Sequence, residues 1–494
     1  MAIQSIKLKP GINREGTRYT TEGGYYDGDK IRFRQGTPEK IGGWQQISTS
    51  TFEGVCRSLH NWVTLGGQNL IGVGTHLKFY IENIGTYFDV SPLRATVSLS
   101  NPFTTVSGSA VVTVTDANGG YQDGDYVTFS NASAVGGLTI DGEFVVSLSV
   151  TTTAGTFTIT AASNASSSAT GGGTVSAAYQ INVGNPFAVP ITGWGAATWG
   201  QGTWGVGESS TTAIRFWSQS NFGEDLVFGN DGGSIYYWDA TDGVSTRAVE
   251  LSTLSGASDV PVVQNLILVS DISRFVFCFG TNAIGSSSID PTLLRWSDQE
   301  DAANWTPSAT NQAGSLRLSR GTKIVAASQA RQEILVWTDS SLYSLQYVGA
   351  PAVWAATLVG ENISISSQNA VSYANGVAYW MGKDKFYMYD GRTQPLKCDV
   401  RKYVFNDFNT AQYGQVFSGT NESFHEIWWF YCSDGETNID KYVIYNYLDK
   451  IWYYGTLART AWIDSGLRDT PLAATYTLNL VDHESGVDDN QTTS

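Results

Sequence analysis

The chain has 494 residues, among them 53 Gly, 25 Tyr, 21 Phe and 16 Trp, and only 15% of its residues are charged. Coiled coils, helical repeats and disordered chains need many charges or few aromatics, so this balance excludes them and points to short strands and tight turns. The net charge of −16 also argues against tight capture of DNA phosphates, which requires clustered Lys and Arg.

Charge is uneven along the chain. Residues 1–57 hold nine Lys+Arg and six Asp+Glu, whereas the remainder holds 20 and 39. The basic head carries turn signals at Pro10-Gly11, Gly23-Gly24, Asp27-Gly28-Asp29 and Gly42-Gly43. It reads as an extended arm, residues 1–54, with one short strand at Lys30–Arg34. Its charges alternate in sign, which fits a docking segment better than a phosphate-binding patch. The candidate assembly contacts here are Arg14, Arg18, Tyr25, Tyr26, Arg32, Phe33, Arg34 and Trp44. The apolar members are expected to dominate, because exposed ion pairs contribute only about 0–1 kcal/mol each.

Between Arg94 and Arg215 there is no Lys, Arg or His. Residues 96–181 are rich in Ser, Thr, Gly, Ala and Val. They contain alternating runs such as VVTVTD (111–116), YVTFS (126–130) and TFTIT (156–160). Period-2 alternation between Gly/Asn/Asp turns marks half-buried strands. This segment reads as an inserted small β sandwich or barrel domain. Just beyond it, GWGAATWGQGTWGVG (193–207) places Trp194, Trp199 and Trp204 five residues apart. With no GxxxxGK[ST], phosphate cradling is excluded. The loop reads either as a connector whose indoles fill gaps between blades or as an aromatic loop that grips a sugar or, more in keeping with the rest, a neighbouring subunit.

The body, residues 55–95 and 182–464, repeats one pattern of apolar run, short turn and aromatic-rich run. It occurs at 70–81, 226–238, 266–279, 334–347, 377–390 and 443–455. Each reads as a β-hairpin. The spacing leaves room for four strands per unit, so the fold class is mostly β, a β-propeller-like array of about six antiparallel blades. One helix is expected, Asp399–Phe408, capped by Asp399. Residues 465–494 read as an acidic C-terminal segment outside the body, of which VDHESGVDDNQTTS (481–494) reads as frayed.

No coherent catalytic set emerges. His60, His76, His425 and His483 form no HExxH or i, i+4 pair. In FHEIWWFYC a strand would send His425 and Glu426 to opposite faces. The four cysteines lie far apart without a CxxC, which fits a reducing compartment. RWSDQEDAANWTP (295–307) lacks the glycine and spacing of a sialidase Asp-box turn, and the Asp-Gly-Asp fragments fall short of a calcium loop. No cofactor or metal is expected. The opening MAIQSIKLKPGINREG has no apolar run, so no signal peptide is expected, nor any membrane-spanning segment.

The head KPGINREGTRYTTEGGYYDGDKIRFRQGTPEKIGGW (9–44) resembles the start of tail nozzle or tail hub proteins of short-tailed bacteriophages, the packaged-DNA stabilisation type. The resemblance continues through DVSPLRA (89–95), GGLTIDGEF (136–144), NPFAVPITGWGAATWGQGTWG (185–205) and LLRWSDQEDAANWTP (293–307), and through 399–464. It implies a non-enzymatic virion protein of the tail, assembled in the host cytoplasm. Such a protein forms a homo-oligomeric ring, commonly of six copies, that extends the DNA channel below the portal and adaptor (connector) ring. The ring retains packaged DNA and supports genome ejection by letting double-stranded DNA pass without sequence specificity. It also carries a tail needle, fibres or spikes. Members of that family run on beyond the HESGVDD stretch with more strands. The rival reading of the same β scaffold is a carbohydrate-binding or glycan-degrading tail-associated propeller, which would need a concave carboxylate site.

Overall fold

The computed structural model describes residues 8–17, 19–148, 154–191, 210–212, 214–271 and 273–489. Among the described residues nearly all the regular structure is antiparallel sheet, with one α-helix, Arg401–Asn406.

Seven four-stranded sheets follow one another around a ring. Blade one is Cys56–Val63, Asn69–Thr75, Phe79–Asn83 and Thr86–Asp89. Blade two runs from Trp217–Phe222 to Val249–Glu250, and blade three from Leu266–Val269 to Gly314–Arg317. Blade four runs from Ile324–Gln329 to Val353–Glu361, blade five from Val371–Ala374 to Thr393–Pro395, and blade six from Phe417–Asn421 to Ile451–Thr456. The first strand of each blade packs beside the first strand of the next, and the seventh returns to the first. The chain is therefore a closed β-propeller. All six hairpins expected from the sequence are present, each as the second turn of a blade or, in blades three and six, the first or third.

The sequence pattern accounts for six blades; the seventh has a different origin. Ala461–Ile463, Leu472–Ala474 and Leu480–His483 supply three short strands, and Trp44–Gln46 from the arm pairs on as the fourth. Two expectations are corrected here. Residues 465–483 lie within the ring rather than outside it and carry the strands Leu472–Ala474 and Leu480–His483, so the stretch expected to be frayed begins inside a blade strand; Leu472, Ala473, Ala474 and Leu480 are fully buried. Residues 44–46 belong to the ring, not to a free arm. The reason is closure: three strands leave an open edge, and the first stretch of the chain covers it.

The cores lie between blades. One cluster joins blades one and two around Phe79, Trp217 and Phe228, and another joins blades seven and one around Cys56, Ile71 and Leu472. The largest spans blades four to seven and takes in Ile12, Phe33 and Ile41 of the arm. Two blade junctions use the same device. The indole of Trp462 lies on Gly419, where any Cβ would overlap it, and donates to the Thr420 carbonyl at 2.8 Å. Trp217 lies likewise on Gly74 and donates to the Thr75 carbonyl at 2.7 Å.

Residues 93–180 form two further four-stranded sheets that enclose a separate core of Phe103, Val112, Phe129, Phe157 and Val175. They leave blade one after Asp89 and return before blade two. The helix expected at Asp399–Phe408 is shorter and is not capped by Asp399: its Ncap is Val400, with no side-chain cap bond. The arm supplies the cap instead, since Glu15 Oε1 accepts from the Lys402 amide at 2.6 Å.

Candidate functional site

The arm is clasped to its own ring. Phe33 is 3% exposed and meets Tyr25 at 5.0 Å and Tyr453 at 5.9 Å between ring centroids. Arg32, beside it and 2% exposed, donates to Glu426 Oε1 and Oε2 at 3.0 and 3.1 Å and to Glu484 Oε2 at 2.8 Å. Tyr453 and Trp428 also donate to Glu426, and Asn421 to Glu484. Burial works against the charge on Arg32, but its bonds to Glu484 and the nearby Glu426 outweigh that and hold it charged. Burial pushes the Glu426 carboxyl up, and Arg32 and Tyr453 oppose this. A buried guanidinium held by two carboxylates is a register device, and removing one partner leaves an uncompensated charge.

The sequence-derived contact residues therefore divide. Arg32 and Phe33 are buried within their own chain and present no exposed surface. Arg14 stacks on Tyr26 at 4.5 Å and Tyr403 at 4.7 Å, which spends its cation on its own helix region. Tyr25 packs inward on Phe33. Trp44 sits in the closing strand, covered by Arg459 at 4.7 Å, and donates to Asp489. Among the described residues Arg34 is the one arm cation of those named that is exposed, at the tip of the Ile31–Arg34/Thr37–Lys40 hairpin. Arg18, Trp194, Trp199 and Trp204 lie outside the described residues.

The ring's axial mouth, on the side of the blade-to-blade links, is crossed by the chain itself. Ala188 exchanges bonds with the Gln412 side chain at 3.1 and 2.7 Å, bridging the link before blade two to the link before blade six. Arg57 of blade one donates to the Pro186 carbonyl at 2.8 Å and to Gln415 Oε1 at 2.7 Å beneath it. Behind this crossing remains a cavity of about 220 Å³ bordered by Ser58, Ser328, Asn369, Phe417, Ser418 and Trp462. None of its lining residues is Asp, Glu, His or Cys.

A larger open cleft of about 730 Å³ lies where blades six and seven meet the arm. Lys30, Trp44, Asp440, Arg459 and Asp489 line it. Its carboxylates are engaged: Asp440 accepts from the Ser433 amide at 2.8 Å and hydroxyl at 2.6 Å, and Asp489 accepts from Trp44. Arg459 donates from Nε to His483 Nε2 at 2.9 Å, which fixes that imidazole as a neutral acceptor. Burial brings Arg459 down to about 10, and burial with the Arg459 and Arg32 charges holds His483 well below the ordinary imidazole range.

The insert is held to the ring by a third charged group. Lys78, 4% exposed, lies 2.5 Å from Glu143 of the insert, 3.2 Å from Glu53 and 3.6 Å from Asp89. Arg247 of blade two adds bonds to Asp89 at 3.1 Å and to the Ser91 carbonyl at 2.7 Å.

Sequence reasoning missed Glu426, Glu484, Arg459 and Lys78. Only Glu426 left a signal, a lone carboxylate in an aromatic strand. Its neighbour His425 is not in that strand but in the left-handed turn before it, at φ 59°, and is exposed. The four cysteines are unpaired, and burial pushes the Cys56 thiol up to about 12. Among the described residues no group of three or more His, Cys, Asp or Glu is placed to hold a metal, and no helix is long and apolar enough to cross a membrane.

No protein-family model matches the chain. No curated protein matches it either. Among solved structures, Hsv2 of Kluyvelomyces marxianus aligns at 9% identity and a TM-score of 0.34, over 55% of this chain and 77% of that one. The endosialidase of phage phi92 aligns at 11% identity and a TM-score of 0.24, over 95% of this chain and 65% of that one. The AfRom2 CNH domain aligns at 12% identity and a TM-score of 0.31, over 54% of this chain and 92% of that one. At such scores the likeness carries no argument, and the propeller stands on its strand order and closed ring.

Proposed function

We propose that this chain is a structural, non-enzymatic protein of a short-tailed phage tail, a nozzle or hub subunit that joins further copies in a ring around the exiting DNA. The carrying observation is the axial mouth. A ring of blades offers its natural concave site on the axis. Here the chain crosses that site with its own backbone and leaves a small cavity bordered by hydroxyls, amides, apolar groups and the Arg57 guanidinium, with no carboxylate. A glycan-degrading propeller would need two facing carboxylates at a reachable concave surface. The rim cleft is reachable, but Asp440 and Asp489 are bound to their own fold. The sequence resemblance across the arm and residues 399–464 supports the same reading. DNA would pass between subunits, since a crossed axis cannot admit a duplex.

Electron microscopy of the purified full chain, alone and with phage connector rings, tests this. Closed rings with a pore wide enough for duplex DNA are expected. Particles that contain the chain only as isolated peripheral subunits, together with turnover of a host surface polysaccharide by the purified chain, would replace it with the depolymerase reading.

A further inference from the structure

Among the described residues five cationic side chains are 5% exposed or less: Arg32, Arg57, Lys78, Arg295 and Arg459. Arg32, Lys78 and Arg295 each lie within ion-pair distance of a carboxylate, and Arg459 feels the charge of Asp489. Arg57 forms no ion pair among the described residues. Its Nη2 donates to the Pro186 carbonyl and to Gln415 Oε1, and its buried Nε and Nη1 meet no acceptor. The nearby Tyr476 hydroxyl accepts from the Ile439 amide at 2.8 Å. The titratable groups that feel the Arg57 charge are neutral at pH 7. Burial, with Arg57 next in effect, brings His76 down to about 4, and burial pushes Cys432 up to about 12 and Tyr476 above the ordinary phenol range.

The cavity behind the axial crossing lies against this side chain. Residues of blades one, four, five, six and seven border it, and Arg57 is the charged residue among them. Its volume of about 220 Å³ corresponds to roughly seven waters at about 30 Å³ each, room for a small polyatomic ion with part of its hydration. The cavity is not sealed, so an ion can enter. Two further donors on its border are unused: the side chains of Ser328, in blade four, and Gln368, on the link to blade five, have no partner among the described residues. Their neighbours are engaged, Ser418 with the Asn369 carbonyl at 3.2 Å and Asn369 Nδ2 with the Arg57 carbonyl at 3.3 Å. Water in the cavity could accept from the free donors but would leave a buried charge without a counter-charge, which is the costly state.

We propose that this cavity binds one small tetrahedral oxyanion, phosphate or sulfate, with Arg57 as its counter-charge and Ser328 and Gln368 as further donors. Guanidinium-to-oxyanion hydrogen bonds are among the strongest a protein makes. A carboxylate offers two oxygens in one plane. The donors here come from blade one, blade four and the link to blade five, three directions around the axis, which four tetrahedral oxygens match better. The same guanidinium also holds the crossing segment, through Gln415, Gln412 and Ala188 in turn. A bound anion thus braces the ring at its centre. The inference does not depend on the tail reading.

The test titrates the full chain, dialysed into chloride buffer, with inorganic phosphate at constant ionic strength, reading calorimetry and thermal melting together. One site per chain is expected, with a melting temperature that rises with phosphate concentration, and sulfate should compete for it. Arg57→Met should abolish the response. Ser328→Val should raise the phosphate dissociation constant about tenfold, and Arg34→Met, at an exposed cation, should change nothing. An anion carried through purification would mask the titration; ion chromatography of the denatured protein should then find about one phosphate or sulfate per parent chain, telling the two apart, and none in Arg57→Met. A chain that neither carries nor responds to either ion overturns the proposal and leaves water in the cavity. A response that survives Arg57→Met overturns it too, since the ion then sits on surface cations. Acetate acting as strongly as phosphate overturns the tetrahedral assignment. Should Arg57→Met misfold, Ser328→Val and Gln368→Leu decide, and unchanged affinity in both counts against the site.

Discussion

The ring and the insert are both antiparallel sheet, yet they are stabilised in different ways. The insert encloses a private core and touches the ring through a few ion pairs and short links. No blade encloses a core of its own; each shares one with its neighbours, and the last exists only because the arm returns to it. The insert's stability is therefore local, and the ring's depends on closure.

The largest break in that comparison is removal of residues 1–46. The ring should lose its cooperative transition because blade seven lacks its outer strand, whereas the insert should retain its own. Calorimetry of the truncated and full chains resolves the two. Next comes Arg32→Leu, which strands Glu426 and Glu484. It should cost the ring about 3–5 kcal/mol and leave the insert's transition in place, as denaturant melts followed by tryptophan fluorescence would show. Phe157→Ala inverts the test: a cavity of that size costs about 3–5 kcal/mol, and here the insert alone should melt earlier. An equal shift of both transitions would show that the two regions are not separate.

A smaller effect concerns pH. His483 is buried beside Arg459 and its folded proton affinity lies far below that of free imidazole. The unfolded chain takes up a proton below about pH 6.5 that the native chain refuses. Stability from this group is present above that pH and declines as pH falls. The ring's melting temperature should drop between about pH 7 and pH 5, and His483→Gln should flatten the slope. Lys78→Met is expected to be the mildest change, loosening the insert's attachment and quickening amide exchange near Glu143 without shifting either transition strongly.

The parts that were legible in the sequence are those with local causes. An apolar run, a turn and an aromatic run are contiguous, so six hairpins could be read directly. The insert announced itself through composition, and its sheets span 93–180 against an expected 96–181. Blade seven was hidden because its strands are only three or four residues long and one comes from the far end of the chain. Arg32 looked like a surface cation for the same reason: its partner Glu426 lies 394 positions away, and no local pattern records that pairing. The seventh blade also shows why a count of repeats undercounts a closed ring, since the closing unit is the one that departs from the repeat.

That clasp has a consequence for synthesis. The arm leaves the ribosome long before its partner strand Leu480–His483 is made. At about 5–20 residues per second, the arm waits tens of seconds for the strand it must pair with. A chain that terminates early has no Leu480–His483 and leaves its first blade exposed to proteolysis. Ring closure thus requires that synthesis has passed His483, so the pairing of the two strands reports how far translation has run.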